Sequence, residues 1–108
     1  MIYTIEEIRN AVTPVAMKYG LKSVYLFGSY ARGTATEDSD VDLFIDTTGT
    51  SIRTLFDLGA VYCDFEEALG KQIDLITKSS FDQKAMTKAD EDFRSEVYRE
   101  RMNLYAVA

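Results

Sequence analysis

Four residues in the first half of this chain have types and spacing suited to phosphate and metal chemistry. Gly28 and Ser29 are adjacent, and Asp40 and Asp42 follow after an interval of ten residues. Glycine lets a ligand approach the backbone closely, while the serine hydroxyl, nearby amides and the start of a following helix can bind phosphate oxygens. On a strand, the two aspartates would share one face and repel each other unless a cation neutralised them. The pattern predicts a phosphate-binding turn beside a divalent cation.

A third carboxylate, Asp74, lies between apolar residues, where a charge is costly unless it is paired or bound to a metal. Three acids on strands beside a phosphate turn are typical of two-metal phosphoryl transfer. Asp40 and Asp42 would bridge the metals, and Asp74 would complete the second site and help to deprotonate an attacking hydroxyl. Arg32, one helical turn after the glycine, could contact a phosphate through its planar guanidinium.

Each feature also has a purely structural interpretation. A Gly-Ser pair alone is a common strand-to-helix turn, and Asp40 and Asp42 could be solvated residues of an edge strand. Arg32 is explained equally well as a solvated arginine. The presence of Asp74 beside the other acids favours the catalytic interpretation.

Composition narrows the classes of function. The 108 residues suit one domain over 1–108, and 18 acidic against 12 basic residues give a net charge of −6. This charge argues against direct binding to nucleic acid, which needs a basic surface. The chain has no histidine, which excludes Ser-His-Asp and Cys-His catalysis and histidine metal sites. A metal would need oxygen ligands, which indicates Mg²⁺ or Mn²⁺.

Several other residues are interpreted as structural or solvated. The single cysteine, Cys63, falls in an apolar helical pattern and is predicted to be a buried thiol. Glu37, Asp38 and Asp46 fall in loop or strand-end positions and are predicted to be solvated. The amino terminus lacks the features of a signal peptide, and no stretch is apolar enough to span a bilayer, so we expect no membrane association and a cytoplasmic protein.

Apolar periodicity predicts the elements that must position these side chains. Thr4 and Glu7 are spaced as a capping box for a first helix that ends at Gly20, and Pro14 should kink that helix or restart it after Thr13. Short apolar runs predict strands over 22–27, 40–45 and 72–77, with helices over 29–32 and 51–69. From about residue 81 the pattern is charged and mostly helical, with candidate anchors at Phe93, Val97 and Met102.

The motifs at 28–33, 39–43 and 73–77 resemble those of the minimal nucleotidyltransferases of the DNA polymerase beta superfamily, and the resemblance covers almost the whole chain. It implies an α/β (α+β) fold with a small mixed sheet flanked by helices. It also implies that ATP and Mg²⁺, or Mn²⁺, bind at the sheet edge and that pyrophosphate is released. By position, Gly28 and Ser29 would grip the triphosphate, Asp40 and Asp42 would bind metal, and Asp74 would be the third acid.

The same resemblance implies a biological role. Many minimal members are antitoxins paired with a HEPN-type ribonuclease toxin, and they move AMP from ATP to a tyrosine of that toxin. Because 108 residues leave little chain for an acceptor-binding domain, the acceptor surface should come from a partner or from self-association. Two alternatives stay open: neutralisation of the toxin by direct binding, which an acidic surface would favour, and nucleotidyl transfer to a small molecule such as an aminoglycoside.

Overall fold

Helices and strands alternate along most of this chain, which a computed structural model describes over residues 2–107. The elements in chain order are α1 (Ile5–Tyr19), β1 (Ser23–Phe27), α2 (Gly28–Arg32), β2 (Val41–Asp46), α3 (Leu55–Leu69), β3 (Ile73–Thr77), α4 (Lys78–Phe81), α5 (Lys88–Glu100) and β4 (Met102–Ala106). The strands form one sheet of order β3-β2-β1-β4, in which β2 is parallel to β3 and the other pairs are antiparallel. The expected α/β fold with a small mixed sheet is confirmed.

Capping boxes define where the two long helices begin. The Thr4 hydroxyl accepts a hydrogen bond from the Glu7 amide at 3.1 Å, and the Glu7 carboxylate accepts one from the Thr4 amide at 2.9 Å. Thr54 and Asp57 make the same pair of contacts before α3. An N-cap of this kind stabilises a helix by about 1 kcal/mol. The predicted bounds of α1 are therefore confirmed, and α3 starts at Leu55 rather than at residue 51.

Apolar side chains cover both faces of the sheet. On one face, α1 and α3 pack against alternate strand residues, including Val24, Leu26, Leu43 and Ile45, all fully buried. On the other face, Phe27 and Phe44 pack against Val97 of α5. Because strand residues alternate in direction, Asp42 lies on the same face as Phe44, which is the face that α5 covers.

Three predicted elements differ from the structure. The helix α1 continues through Pro14 without restarting, and the Thr13 hydroxyl donates to the Arg9 carbonyl at 2.7 Å instead of capping a new helix. The strand β2 begins at Val41, so Asp40 immediately precedes it. The segment after α5 forms the strand β4 on the β1 edge, although the charged pattern indicated helix.

Some predictions of burial were also wrong. Cys63 is exposed, because it lies on the outer side of α3 while Val61 and Phe65 face the core. Asp46 is only 8% exposed, and its carboxylate accepts hydrogen bonds from the Thr48 amide and hydroxyl at 2.9 and 2.6 Å.

Of the three candidate anchors, Val97 is buried as predicted. Phe93 and Met102 remain 44% and 38% exposed, and so contribute less to the core than expected. Over residues 2–107, no helix is long and apolar enough to cross a membrane.

Candidate active site

Gly28 forms the turn that leaves β1, and both its backbone conformation and its surroundings disfavour any residue with a side chain. Its φ is +74°, a left-handed value that costs an L-residue about 1 to 2 kcal/mol. A Cβ atom there would lie 1.9 Å from Oδ2 of Asp42. The register of the sheet causes this close approach, because Phe27 pairs with Asp42 across β1 and β2. The glycine therefore brings a backbone turn directly against a carboxylate.

The parallel pairing of β2 with β3 places Asp42 beside Asp74. Burial raises the pKa of Asp42 to about 7, with further contributions from a hydrogen bond to Asp74 and from the negative charges of Asp74 and Asp40. The positive charge of Arg32 opposes this rise in pKa. The two strands thus hold an acid pair that resists full ionisation in the absence of a cation.

The loop before β2 carries Asp40, which is exposed but close enough for its charge to act on Asp42. Lys71, two residues before β3, connects this loop to the start of that strand through hydrogen bonds. Its Nζ donates to the carbonyls of Glu37 at 2.7 Å and Ser39 at 2.9 Å. The sequence analysis had assigned no role to this lysine.

A cleft of about 440 Å³ separates the acid pair from α5. Its lining consists of Phe27, Gly28, Arg32, Asp42, Asp74, Leu75, Ile76, Phe93, Glu96, Val97 and Glu100. Four of the six predicted site residues therefore meet in one cleft. The other two, Ser29 and Asp40, lie beside it, since each adjoins a lining element along the chain.

Glu100, at the end of α5, is a part of this cleft that the sequence analysis missed. Its Oε1 accepts a hydrogen bond from the Gly28 amide at 3.2 Å. It also forms an ion pair with Arg32, whose Nη1 lies 3.1 Å from Oε1 and 3.3 Å from Oε2. Arg32 is therefore paired with a carboxylate, although its side chain remains 51% exposed. No local motif could reveal Glu100, because 72 positions separate it from Gly28.

The residues of the cleft suit a cation that the protein only partly surrounds. Over residues 2–107, no group of three or more His, Cys, Asp or Glu side chains is arranged to hold a metal ion by itself. Mg²⁺ in phosphate-transferring sites commonly takes one or two carboxylates and completes its octahedron with water and phosphate oxygens. The hydrogen-bonded carboxyl groups of Asp42 and Asp74 fit that kind of site, because burial and the neighbouring acids raise the pKa of Asp42 and a bound cation would offset their repulsion.

A known protein family and several known proteins resemble this chain in sequence. The family model described as nucleotidyltransferase domain matches residues 8–101. The protein adenylyltransferase MntA of Thermococcus cleftensis is 37% identical over 81 residues, which cover 71% of this chain and 80% of that protein. The family match includes every residue that lines the cleft, and the alignment with MntA covers most of that relative's own length.

Solved structures share the fold at lower identity. A chain of a toxin-antitoxin crystal structure with AMP-PNP superposes with a TM-score of 0.70 and 20% identity, covering 92% of this chain and 73% of that one. A chain from the complex of a tri-AMPylated Shewanella oneidensis HEPN toxin with an MNT antitoxin gives a TM-score of 0.66 and 16% identity, covering 96% and 74%. At these identities the likeness establishes the fold.

Proposed function

This chain belongs to the nucleotidyltransferase domain family, and on that premise we propose that it transfers AMP from ATP to a tyrosine of a HEPN-type toxin and so acts as its antitoxin. The observation that carries the proposal is the contact between the Gly28 turn and Asp42, which is itself paired with Asp74. This close approach lies beside two of the three predicted metal carboxylates, Asp42 and Asp74.

The proposed reaction is an in-line displacement at the α-phosphorus of ATP. The acceptor hydroxyl oxygen forms a bond to that phosphorus, and the bond from phosphorus to the oxygen bridging to the β-phosphate breaks. Pyrophosphate leaves with the bonding electron pair, and the hydroxyl proton passes to the carboxylate of Asp74 and then to solvent. Gly28 and Ser29 bind the triphosphate, and Arg32 contacts one of its phosphates.

The acids Asp40, Asp42 and Asp74 would hold Mg²⁺, or Mn²⁺ in its place. When bound, the cation supplies positive charge that neutralises the phosphate oxygens as pyrophosphate departs. The backbone positions both carboxylates. Asp42 lies directly against the Gly28 turn, and Asp74 lies beside Asp42 because the two residues pair in the register of β3 with β2. The choice of Mg²⁺ rests on oxygen ligands and on the absence of histidine from the chain.

Two observations support a protein acceptor. The relative from Thermococcus cleftensis is named as a protein adenylyltransferase, and one structural neighbour is described as an antitoxin in complex with an AMPylated HEPN toxin. We therefore propose that the partner supplies the acceptor surface, in a cytoplasmic complex of the two proteins.

The test is to incubate the chain with ATP labelled at the α-phosphate, Mg²⁺ and the HEPN-type protein encoded next to it. We expect label on the partner, and loss of the label when the acceptor tyrosine of the partner is replaced by phenylalanine. The control is Asp38→Asn, which removes an exposed loop acid close in sequence to the site and should retain transfer. Absence of label with both Mg²⁺ and Mn²⁺ would refute the proposed function.

A second candidate is neutralisation of the toxin by direct binding. It is favoured by the net charge of −6 and by two apolar side chains at the start of α3, Leu55 and Phe56, which are 86% and 93% exposed. The double variant Asp40→Asn/Asp42→Asn separates the two candidates in cells that express the toxin. If it still binds the toxin but no longer protects the cells, neutralisation is catalytic; full protection would show that binding suffices.

A further inference from the structure

We propose that Glu100 determines how tightly this chain binds a triphosphate, because its carboxylate occupies the anion position that the phosphates need. The inference rests on the proposed function, since it concerns the same cleft. It adds a residue that lies outside the motifs recognised in the sequence.

The contacts of Glu100 are those of a bound anion. Its Oε1 accepts from the Gly28 amide at 3.2 Å, and the guanidinium of Arg32 lies 3.1 and 3.3 Å from its two carboxylate oxygens. The Glu100 side chain is only 18% exposed, so these contacts replace most of its hydration. An amide and a guanidinium are also the donors that recognise phosphate oxygens.

A phosphate competes with Glu100 for the Gly28 amide. This amide has a single hydrogen, which already points to the carboxylate. A triphosphate that enters the cleft also brings several negative charges next to the carboxylate, and like charges at this range repel. Binding of a phosphate at the Gly28 amide must therefore displace the Glu100 side chain from it.

The position of Glu100 at the end of α5 does not by itself stabilise its carboxylate in the cleft. It is the last residue of α5, and a negative charge at the C-terminal end of a helix is unfavourable. Its contacts with Gly28 and Arg32 offset that cost. When phosphate oxygens take over those donors, nothing in α5 itself holds the carboxylate in the cleft.

The variants Glu100→Gln and Glu100→Ala test the inference. Both remove the charge, and we expect each to tighten the binding of ATP and of inorganic tripolyphosphate by about tenfold, which corresponds to about 1.4 kcal/mol. Binding is measured by isothermal titration calorimetry in Mg²⁺ without the partner. Adenosine, which lacks phosphates, serves as a second ligand whose affinity should not change.

Glu96→Gln is the matched control. Glu96 lies one turn earlier on α5 and lines the same cleft, but its carboxylate pairs with Arg99 at 3.3 Å rather than with Gly28. Its removal reports the general effect of a lost negative charge, which we expect to be no more than about twofold. An equal gain from Glu96→Gln and Glu100→Gln would overturn the inference.

The opposite outcome is equally decisive. If Glu100 served mainly to hold Arg32 in position, both Glu100 variants would bind ATP more weakly than the unsubstituted chain, and the inference would be wrong. Failure of the proposed function can be distinguished from failure of this inference, because the unsubstituted chain would then bind neither ATP nor tripolyphosphate. Urea unfolding of each variant confirms that it is folded.

Discussion

At the scale of single residues, a comparison of Gly28 with Gly33 distinguishes the cost of a strained backbone from the cost of a steric clash. Both have left-handed φ values, +74° and +78°, but a Cβ at Gly33 would have no atom within 4 Å. We expect Gly33→Ala to lose about 1 to 2 kcal/mol of stability and to keep AMP transfer. Gly28→Ala should lose that stability and also transfer, because its Cβ displaces the carboxylate of Asp42.

The comparison of these two glycine variants is made by urea unfolding together with the labelled-ATP assay. Retention of transfer by Gly28→Ala at the rate of Gly33→Ala would show that the close approach to Asp42 is not needed for the reaction.

A second prediction concerns the charge of Asp42. Asp42→Asn should abolish transfer in the presence of Mg²⁺. In metal-free protein the same substitution should raise the free energy of unfolding by about 1 to 2 kcal/mol at pH 8, since it removes a carboxylate that is partly buried beside Asp74. The pKa of Asp42 is raised from 3.8 to about 7, so its stabilising contribution is present below pH 3.8 and is lost as the pH rises through 7. The variant should lack that part of the pH dependence.

This second prediction is checked by denaturant unfolding in a chelator at pH 5 and pH 8. The variant's advantage should be larger at pH 8. A variant that is destabilised at both values would contradict the account of the acid pair.

Site residues that lie close together in the sequence could be predicted. Site residues that act through contacts between distant parts of the chain could not. Gly28, Asp40 and Asp42 stand out because their spacing matches a local requirement for a turn followed by a strand. Glu100 and Lys71 act through contacts that depend on how α5 and β3 pack. A glutamate in a charged helix has no local feature that distinguishes it from its solvated neighbours.

At the scale of elements, α1 and the strands β1, β2 and β3 were predicted within about one residue, whereas the start of α3 was placed four residues too early and β4 was missed. Capping residues and glycine stops are local signals, and they located α1 within its observed bounds. The strand β4 is stabilised by pairing with β1 along an edge, and only Leu104 among its residues is buried. Residues 102–106 carry no charge and have Met102, Leu104 and Ala106 at alternate positions, but a run of five residues is too short for its periodicity to separate a strand from a continued helix.

The attachment of the Asp40 loop to β3 gives a third prediction. Lys71→Met removes the donor to the carbonyls of Glu37 and Ser39. We expect transfer to fall about tenfold, since small displacements of catalytic groups are costly. The Mg²⁺ concentration for half-maximal rate should rise several-fold, with a loss of stability below about 1 kcal/mol.

The control for Lys71 is Lys84→Met, which removes an equal charge from an exposed loop before α5. Rates are measured across a Mg²⁺ titration, and Lys71→Arg should recover part of the activity. Equal effects of the two methionine substitutions would show that net charge, rather than the loop, is responsible.

At the scale of the whole molecule, the two apolar clusters lie on opposite faces of one sheet. The radius of gyration is 13.4 Å, close to the value of about 13 Å expected for a compact domain of this length. The cleft draws on β1, α2, β2, β3 and α5. Residues spread from 27 to 100 therefore build one site, which supports the proposal of a single domain over 1–108.

A ligand that binds such a site should stabilise the whole molecule at once. With Mg²⁺ and ATP at about ten times the dissociation constant, the free energy of unfolding should rise by about 1.4 kcal/mol, raising Tm by about 5 °C. Far-UV circular dichroism reports the helices, and tyrosine fluorescence reports the surroundings of the seven tyrosines, which include Tyr30 in one cluster and Tyr25 beside the other. Both signals should shift together, and Asp42→Asn should abolish the shift. If the chain is one cooperative unit, the ligand must shift the transition seen by both signals equally. Two separate transitions would show that parts of the molecule unfold independently.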